Sequence, residues 1–185
     1  MEVITTGIDG VFIIEPKVFG DNRGYFFESF NAREFAEKTG KEVTFVQDNE
    51  SMSRYGVLRG LHFQLPPYSQ SKLVRVVKGK VLDVAVDIRK GSSTYGKYVS
   101  CEMTETNKRQ FFVPKGFAHG FCVFSDEAVF QYKCDEFYHP EAEGAIAWND
   151  PDIAINWPIT AEEIILSEKD KHHSCLKDFE SPFIF

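Results

Sequence analysis

Glycine and proline interrupt this chain roughly every ten residues, and this spacing limits what it can fold into. The segments between them are short and rich in β-branched and aromatic residues, which favour strands. These segments are residues 11–18, 25–30, 43–48, 73–78, 81–88, 95–103, 111–113 and 121–132. Many short strands at such spacing are typical of a sandwich or barrel. We therefore predict a single all-β domain that spans residues 1–185.

Only two segments predict helix. Residues 31–40 begin with Asn31 as an N-cap, carry Glu34 in the first turn and end at Gly40. A second, shorter helix is expected after Thr160, because Glu163 follows at capping-box spacing. The predicted fold is therefore a β framework with a few short helices.

The segment 81–88 shows how such a strand could serve a site. Its alternate residues are aliphatic on one face, whereas the other face carries Asp83 and Asp87. Solvent is the commoner surrounding for carboxylates on a strand. A polar barrel interior that holds a functional site is the alternative interpretation.

The composition narrows the possible partners and the compartment. The net charge of −7 disfavours nucleic-acid binding, which depends on a basic face. The four cysteines, at positions 101, 122, 134 and 175, have neither the spacing of a zinc site nor a C-x-x-C pair. No segment has the features of a signal peptide or a membrane span. We expect a cytoplasmic protein that binds neither nucleic acid nor membrane.

Two motifs in the chain resemble those of the cupin, or jelly-roll, β-barrel. The first runs from Gly56 through His62 and Lys72 to Gly79, and the second ends at His119. In the usual first motif a second histidine stands at position 64 and a glutamate at position 72, whereas this chain has Gln64 and Lys72 there. A site that has lost two of four ligands and gained an ammonium should repel a divalent ion. The resemblance therefore implies a barrel with no metal, in which lysine supplies positive charge to an anionic substrate or oxyanion.

Four side chains could carry proton-transfer chemistry in such a barrel. His62 is a candidate general base that a distant carboxylate, Asp170, could orient, although a lone strand histidine is more often structural. Lys72 could stabilise an enolate oxygen, although most lysines lie on the surface. Tyr132 could donate a proton, and packing in the core is an equal alternative for it.

A second set of residues could hold an anionic substrate. Arg23, Arg59, His119 and Lys169 would suit a diphosphate together, although each one alone looks like a solvated charge. Tyr138 offers a ring on which a planar base could stack. No Gly-rich phosphate loop is found in the sequence, so a nucleotide would not be held in the manner of a P-loop or Rossmann domain.

Taken together, these residues are similar to the dTDP-4-dehydrorhamnose 3,5-epimerase family, and the similarity covers nearly the whole chain. The motifs that carry it lie at residues 21–28, 45–49, 57–64, 70–74, 113–121, 132–133 and 166–170. The resemblance implies that C3 and C5 of dTDP-4-keto-6-deoxy-D-glucose are inverted to give dTDP-4-keto-L-rhamnose, without a cofactor. His62, oriented by Asp170, would remove each proton, Lys72 would hold the enolate oxygen, and Tyr132 would return a proton from the opposite face.

The resemblance also implies a binding site and an assembly. Asp83 would contact His62, and Tyr138 would stack on thymine opposite Phe19 or Phe26. The chain would form a homodimer that shares strands between its subunits. The implied substrate-binding residues are Arg23, Glu28, Gln47, Asp48, Asn49, Arg59, His119, Tyr138, Glu143 and Lys169.

Three alternatives remain at this point. A related cupin could invert only one carbon of the same kind of dTDP-4-ketosugar, or move its ketone. A metal-dependent cupin would act as an oxygenase or isomerase, and the missing ligands count against it. A sugar-nucleotide binding module would need no base and acid facing each other.

Overall fold

The computed structural model describes all 185 residues and consists almost entirely of short strands. One α-helix, α1 (Ala32–Thr39), lies among thirteen strands, and single 3₁₀ turns occur at Pro140–Ala142, Ala161–Glu163 and Leu176–Asp178. The strands are β1 (Glu2–Thr5), β2 (Phe12–Glu15), β3 (Phe19–Asp21), β4 (Gly24–Phe26), β5 (Gln47–Arg54), β6 (Leu58–Gln64), β7 (Lys72–Lys78), β8 (Lys80–Asp87), β9 (Tyr98–Thr104), β10 (Gln110–Val113), β11 (Phe117–Val123), β12 (Glu127–Cys134) and β13 (Glu143–Ala145).

Two antiparallel sheets face each other across the main core. One has the order β1-β2-β10-β7-β12-β5, and the other has the order β13-β6-β11-β8-β9. Their inner faces contribute jointly to one buried cluster, in which Val74 and Phe130 of the first sheet join Ala85 and Phe121 of the second. The rings of Phe121 and Phe130 stack across this cluster with centroids 4.1 Å apart. The prediction of an all-β fold is therefore confirmed.

The one α-helix covers a smaller core on the face of the six-stranded sheet opposite the main core, where Phe35 joins Ile14, Leu73 and Phe112. Asn31 caps it by accepting a hydrogen bond from the Glu34 amide at 3.1 Å, and Gly40 ends it in the left-handed conformation at φ 68°. Phe35 is buried against Phe112, with ring centroids 5.2 Å apart. The structure confirms this helix and reduces the one expected after Thr160 to a single 3₁₀ turn. None of the helices has the length and apolar content needed to cross a bilayer.

Several of the predicted strand segments were wrong in extent, and strand β4 ends at Phe26 within the expected 25–30. Residues 121–132 form parts of two strands, since β11 ends at Val123 and β12 begins at Glu127. The expected strand over 43–48 begins only at Gln47, because Phe45 packs beside the helix instead. Strand β5 was largely missed because its sequence is polar, and it can be polar because it lies at a sheet edge with alternate residues exposed.

Both carboxylates of β8 are buried, so the barrel interior rather than solvent accounts for them. Asp87 accepts hydrogen bonds from Arg89, Ser92 and Thr94 at 2.6–2.9 Å, which ties the following loop to the strand. Burial raises the pKa of Asp87, but these hydrogen bonds outweigh it and hold the pKa below its usual value. Asp83 points into the barrel and belongs to the site described below.

Strands β6 and β11 approach each other unusually closely beside the histidines that they carry. Gly60 adopts φ +134°, and a Cβ atom there would lie 2.6 Å from the Cα of Gly120. The register between the strands also shifts just after His119 pairs with His62. Only residues without a side chain allow this approach, so the two glycines help to set the spacing between the two histidines.

We predict that Gly60→Ala destabilises the protein much more than Gly24→Ala. The two glycines have almost the same φ, +134° and +133°, but a Cβ at Gly24 would meet nothing within 4 Å. The two alanine variants therefore share the strain of a positive φ. The difference between their free energies of unfolding measures the clash of the Gly60→Ala side chain with the backbone, which we expect to cost about 1–3 kcal/mol. Denaturant unfolding at equal protein concentration measures it. Equal losses in the two variants would contradict the close approach of β6 and β11.

Candidate active site

A pocket of about 360 Å³ opens between the two sheets. Strands β5, β7 and β12 of one sheet and β6 and β13 of the other contribute to its walls. Seven of the residues proposed from the sequence meet there. The lining residues are Gln47, Asn49, His62, Phe63, Gln64, Gln70, Lys72, Tyr132, Tyr138 and Glu143.

His62 and Asp170 form a hydrogen-bonded pair at this pocket, as expected. His62 Nε2 lies 2.6 Å from Asp170 Oδ1, and Ser167 donates to the other carboxylate oxygen at 2.9 Å. Asp170 is only 3% exposed. Burial raises the pKa of its carboxyl, but the hydrogen bonds from His62, Ser167 and His173 outweigh burial and hold the pKa below the usual value. A charged Asp170 therefore faces the ring and leaves Nδ1 of neutral His62 as the proton-accepting nitrogen.

Lys72 begins β7 and reaches the same pocket. Burial of its ammonium lowers the pKa of Lys72, and the nearby Asp83 and Glu143 carboxylates only partly oppose that effect. An anion beside Lys72 would therefore favour the charged form of this side chain. Such a group is suited to stabilise an oxyanion that develops nearby.

Tyr132 lies on β12 between Val74 of β7 and Asn49 of β5. Burial raises the pKa of its phenol, with a smaller opposing effect from Arg59. The hydroxyl therefore stays protonated near neutral pH and can donate a proton. The Lys72 ammonium is 6.0 Å from the centre of the Tyr132 ring, so the acid and the cation share the same part of the pocket.

His119 and Asp83 form a second, deeper pair, which corrects the expectation that Asp83 contacts His62. His119 Nε2 lies 2.8 Å from Asp83 Oδ1, and both side chains are almost fully buried. Burial raises the pKa of Asp83, against the attraction of His119 and Lys72. The other Asp83 oxygen is buried without a hydrogen-bond partner. The carboxylate therefore leaves one acceptor free inside the barrel, near the Lys72 charge.

Gln64 and Gln47 hold the segment that carries Tyr138, a role that the sequence analysis missed. The Gln64 amide accepts from the His139 amide at 2.7 Å and donates to the carbonyls of Tyr68 and Phe137 at 2.6 and 3.1 Å. Gln47 accepts from the Tyr138 amide at 3.0 Å. The signal for this role in the sequence was Gln64 itself, which stands where the cupin motif usually has a metal-binding histidine.

The donor set at the cupin metal position does not fit a metal ion. The Gln64 amide oxygen is already used by a backbone amide, and the residue at the carboxylate position is the cation Lys72. His119 uses Nε2 for Asp83. Of the four cupin positions, 62 and 119 still carry histidine, and His119 is already bonded to Asp83. That leaves His62, and one imidazole beside an ammonium cannot replace the usual four ligands.

The remaining predicted binding residues lie around the pocket or away from it. Lys169 pairs with Glu143 at 2.9 Å at the pocket edge, and exposed Arg59 donates to Ser53 at 3.1 Å close to Tyr132. Three residues lie outside this pocket within the single chain. These are Arg23, which pairs with Asp21 on the β3–β4 hairpin, Glu28, which accepts from Asn31, and Asp48, which pairs with Lys133 on the other side of β5.

The chain is similar along most of its length to known proteins. Residues 5–178 match the family model described as dTDP-4-dehydrorhamnose 3,5-epimerase. A protein of that name from Shigella flexneri is 58% identical over 170 residues, which cover 92% of this chain and 93% of the relative. One from Methanothermobacter thermautotrophicus is 54% identical over 176 residues, covering 95% and 94%.

A solved structure extends the agreement to the fold. The Legionella pneumophila dTDP-6-deoxy-D-glucose-3,5-epimerase, in complex with dTDP-4-keto-L-rhamnose, superposes with a TM-score of 0.93 at 51% identity and covers 97% of this chain and 94% of that one. The fold is thus the cupin jelly roll that the sequence motifs predicted. The chain belongs to the dTDP-4-dehydrorhamnose 3,5-epimerase family of isomerases.

Proposed function

We propose that this protein inverts both C3 and C5 of dTDP-4-keto-6-deoxy-D-glucose to give dTDP-4-keto-L-rhamnose, in dTDP-L-rhamnose synthesis for surface polysaccharide. The observation that carries the proposal is one pocket with three complementary groups: a carboxylate-backed imidazole, a buried ammonium and a protonated phenol. These are a base, an oxyanion stabiliser and an acid, the set that epimerisation beside a ketone requires.

In each proposed inversion, the three groups act in turn. His62 Nδ1 takes the proton from the carbon beside the C4 ketone, and the bonding electrons move to the ketone oxygen as an enolate. Lys72 stabilises that oxygen, while Asp170 stabilises the imidazolium. Tyr132 then gives a proton to the opposite face of the same carbon, and the electrons return to restore the ketone. Solvent exchange reprotonates Tyr132 and deprotonates His62 before the second inversion.

The nucleotide end of the substrate would be held by the residues that surround this pocket. Tyr138 is 52% exposed at the mouth and is positioned by Gln47, which suits a ring on which thymine stacks. Lys169 and Arg59 supply positive charge for the diphosphate or the sugar, and His119 would also contact one of them. Glu143 and Asn49 would accept or donate hydrogen bonds to the sugar from the two sides of the pocket.

We also propose the homodimer. The β3–β4 hairpin exposes Phe19, Tyr25 and Phe26, and Arg23 at its tip is 86% exposed. Such an aromatic surface with a cation suits contact with a second copy, which would bring Arg23 and Glu28 to a pocket. The four unpaired cysteines fit the reducing conditions of the cytoplasm, where we place the protein.

The first experiment follows protons at C3 and C5 of the ketosugar by NMR in deuterated buffer, and then reduces and identifies the product. We expect deuterium at both carbons and the L-rhamno configuration. His62→Ala should slow exchange at both carbons by about 10²–10⁴-fold, because no other imidazole lines the pocket. His172→Ala, in which an exposed histidine is removed, is the matched control and should exchange normally.

Two results would count against this proposal. Inversion at one carbon alone would assign the single-site alternative, and full exchange in His62→Ala would remove this residue as the base. A protein that binds dTDP-sugar without any exchange would be the binding module instead.

Replacing Tyr132 by phenylalanine should separate exchange from inversion. We expect Tyr132→Phe to incorporate deuterium at C3 and C5, because His62 still removes and returns protons on one face. The inverted product should fall by about 10²–10⁴-fold, because the acid on the other face is lost. Tyr98→Phe, which removes a hydroxyl that accepts from the Asn156 amide outside the pocket, is the control. Normal yield of the L-sugar from Tyr132→Phe would exclude its role as the acid.

Lys72→Met should make the protein more stable and almost inactive. The pKa of Lys72 is lower in the folded state than its ordinary value of 10.5, so burying the charged form costs free energy of folding. This cost is present in full below the folded-state pKa, and stability rises with pH only between the folded-state pKa and 10.5. Removing the charge should therefore raise the unfolding temperature at pH 7 by at least about 2 °C, the shift for 1 kcal/mol in a chain of this size. Loss of oxyanion stabilisation should lower kcat by about 10²–10³-fold.

The matched variant is Lys78→Met at the other end of the same strand. Lys78 is exposed and paired with Glu127 at 2.6 Å, so its replacement should leave both the unfolding temperature and kcat nearly unchanged. A fall in the unfolding temperature of Lys72→Met would show that the ammonium stabilises the empty pocket, contrary to the argument from burial.

A further inference from the structure

Two histidines share one oxygen of Asp170, and the proposed reaction uses only one of them. His62 Nε2 lies 2.6 Å from Asp170 Oδ1, and His173 Nε2 lies 3.3 Å from the same oxygen. The two imidazole rings are nearly perpendicular, at 88°, with centroids 6.1 Å apart. The ligand atoms of the three residues all lie within 4.8 Å of one another.

We propose that His62, Asp170 and His173 form a binding site for a divalent transition-metal ion such as Zn²⁺, distinct from the cupin metal position. Two imidazoles and one carboxylate are a common three-residue ligand set for zinc, with a fourth position left for water. The cupin position would use residues 62, 64, 72 and 119, so the two sites share His62 but none of their other ligands.

The present geometry needs only small movements to accept the ion. Ligand atoms at about 2.0–2.1 Å from a tetrahedral ion lie about 3.3 Å apart. The pair of Asp170 and His173 already has that separation. The hydrogen bond between His62 and Asp170 has to open from 2.6 Å, as the proton between them gives way to the ion. Both histidines are partly exposed, so their rings have room to turn.

The surroundings orient the carboxylate so that its Oδ1 atom faces the two histidines. Ser167 donates to Asp170 Oδ2 at 2.9 Å and accepts from the Asp170 amide at 3.2 Å, which directs Oδ1 at the histidines. The adjacent lysines are committed elsewhere, since Lys169 pairs with Glu143 and Lys171 pairs with Glu168. No ammonium therefore occupies this position, in contrast to Lys72 at the cupin site.

Binding of the ion would switch off the base, a consequence that rests on the proposed function. In the metal-free pair, Nε2 of neutral His62 carries the proton and Nδ1 holds the lone pair. An ion on Nε2 needs a lone pair there, so the ring proton moves to Nδ1. A nitrogen that already carries a proton cannot take another from the sugar. The ion therefore acts as a reversible inhibitor.

Titration with Co²⁺ tests the site without any reference to activity. Four-coordinate Co²⁺ absorbs visible light strongly, and it accepts the same ligands as Zn²⁺. We expect the chelator-treated wild type to bind one ion per chain with this absorption, and Zn²⁺ to displace it. His173→Asn should weaken binding by at least about tenfold. His172→Asn, which removes the exposed neighbour and keeps the same number of histidines as the first variant, should bind like the wild type.

Exchange kinetics test the consequence. Zn²⁺ should stop deuterium exchange in the wild type and in His172→Asn, and a chelator should restore it. His173→Asn, compared with its own metal-free rate, should need at least about ten times more Zn²⁺ for the same inhibition. Equal Co²⁺ affinity in the wild type and His173→Asn, or weaker binding in His172→Asn, would overturn the site. If the metal-free enzyme exchanges no protons, the proposed function fails, but the cobalt titration still decides the site.

Discussion

A 2.6 Å hydrogen bond between His62 and Asp170 joins a barrel strand to a C-terminal segment that has almost no regular structure. The contacts that bring them together share one offset along the chain. Tyr55 donates to Glu163, Val57 forms a parallel bridge with Ile165, and His62 meets Asp170, and each pair is 108 residues apart. The segment therefore runs alongside the start of β6 in a fixed parallel register. Backbone hydrogen bonds between Ile165 and both Gly56 and Leu58, at 2.8 and 3.0 Å, secure that register.

The pocket depends on polar groups that a β-barrel would not retain for stability alone. Lys72 is a buried cation, and Asp83 is a buried carboxylate with one oxygen that has no partner. Each of these groups carries a cost, because burial without full hydrogen bonding disfavours the charged form. The core around them offsets that cost, with Phe111, Phe130 and their neighbours from both sheets almost fully buried. A stable barrel can thus tolerate buried polar groups that lack full hydrogen bonding within the protein.

Short-range patterns in the sequence predicted the local structure well. The helix cap at Asn31, the turn at Gly40 and the alternation in β8 depend only on neighbours in the chain, and each is confirmed. Strand β5 could not be predicted in this way, because an edge strand buries few side chains and so lacks an apolar pattern. Resemblance to a known family predicted a shared site for His62, Lys72, Tyr132 and Asp170, and these side chains meet at one pocket.

What the sequence could not predict is which polar group each buried residue meets. Asp83 was expected at His62, yet it pairs with His119, because strand register rather than sequence distance decides the partner: His119 lies opposite both His62 and Ala85. The sequence analysis treated Gln64 only as the replacement of a metal ligand, whereas its side chain hydrogen-bonds to the loop that carries Tyr138. Its three partners are backbone groups of Tyr68, Phe137 and His139, and no sequence pattern near Gln64 predicts these contacts.

One lone pair on the His62 ring can serve either the proposed proton transfer or a metal ion. A lysine at position 72 supplies positive charge without needing a ligand, so the imidazole of His62 keeps a lone pair for the proton. An ion that coordinates this ring, wherever it sits, has to use one of the two ring nitrogens and force the proton onto the other. Base and ligand are therefore exclusive roles for His62.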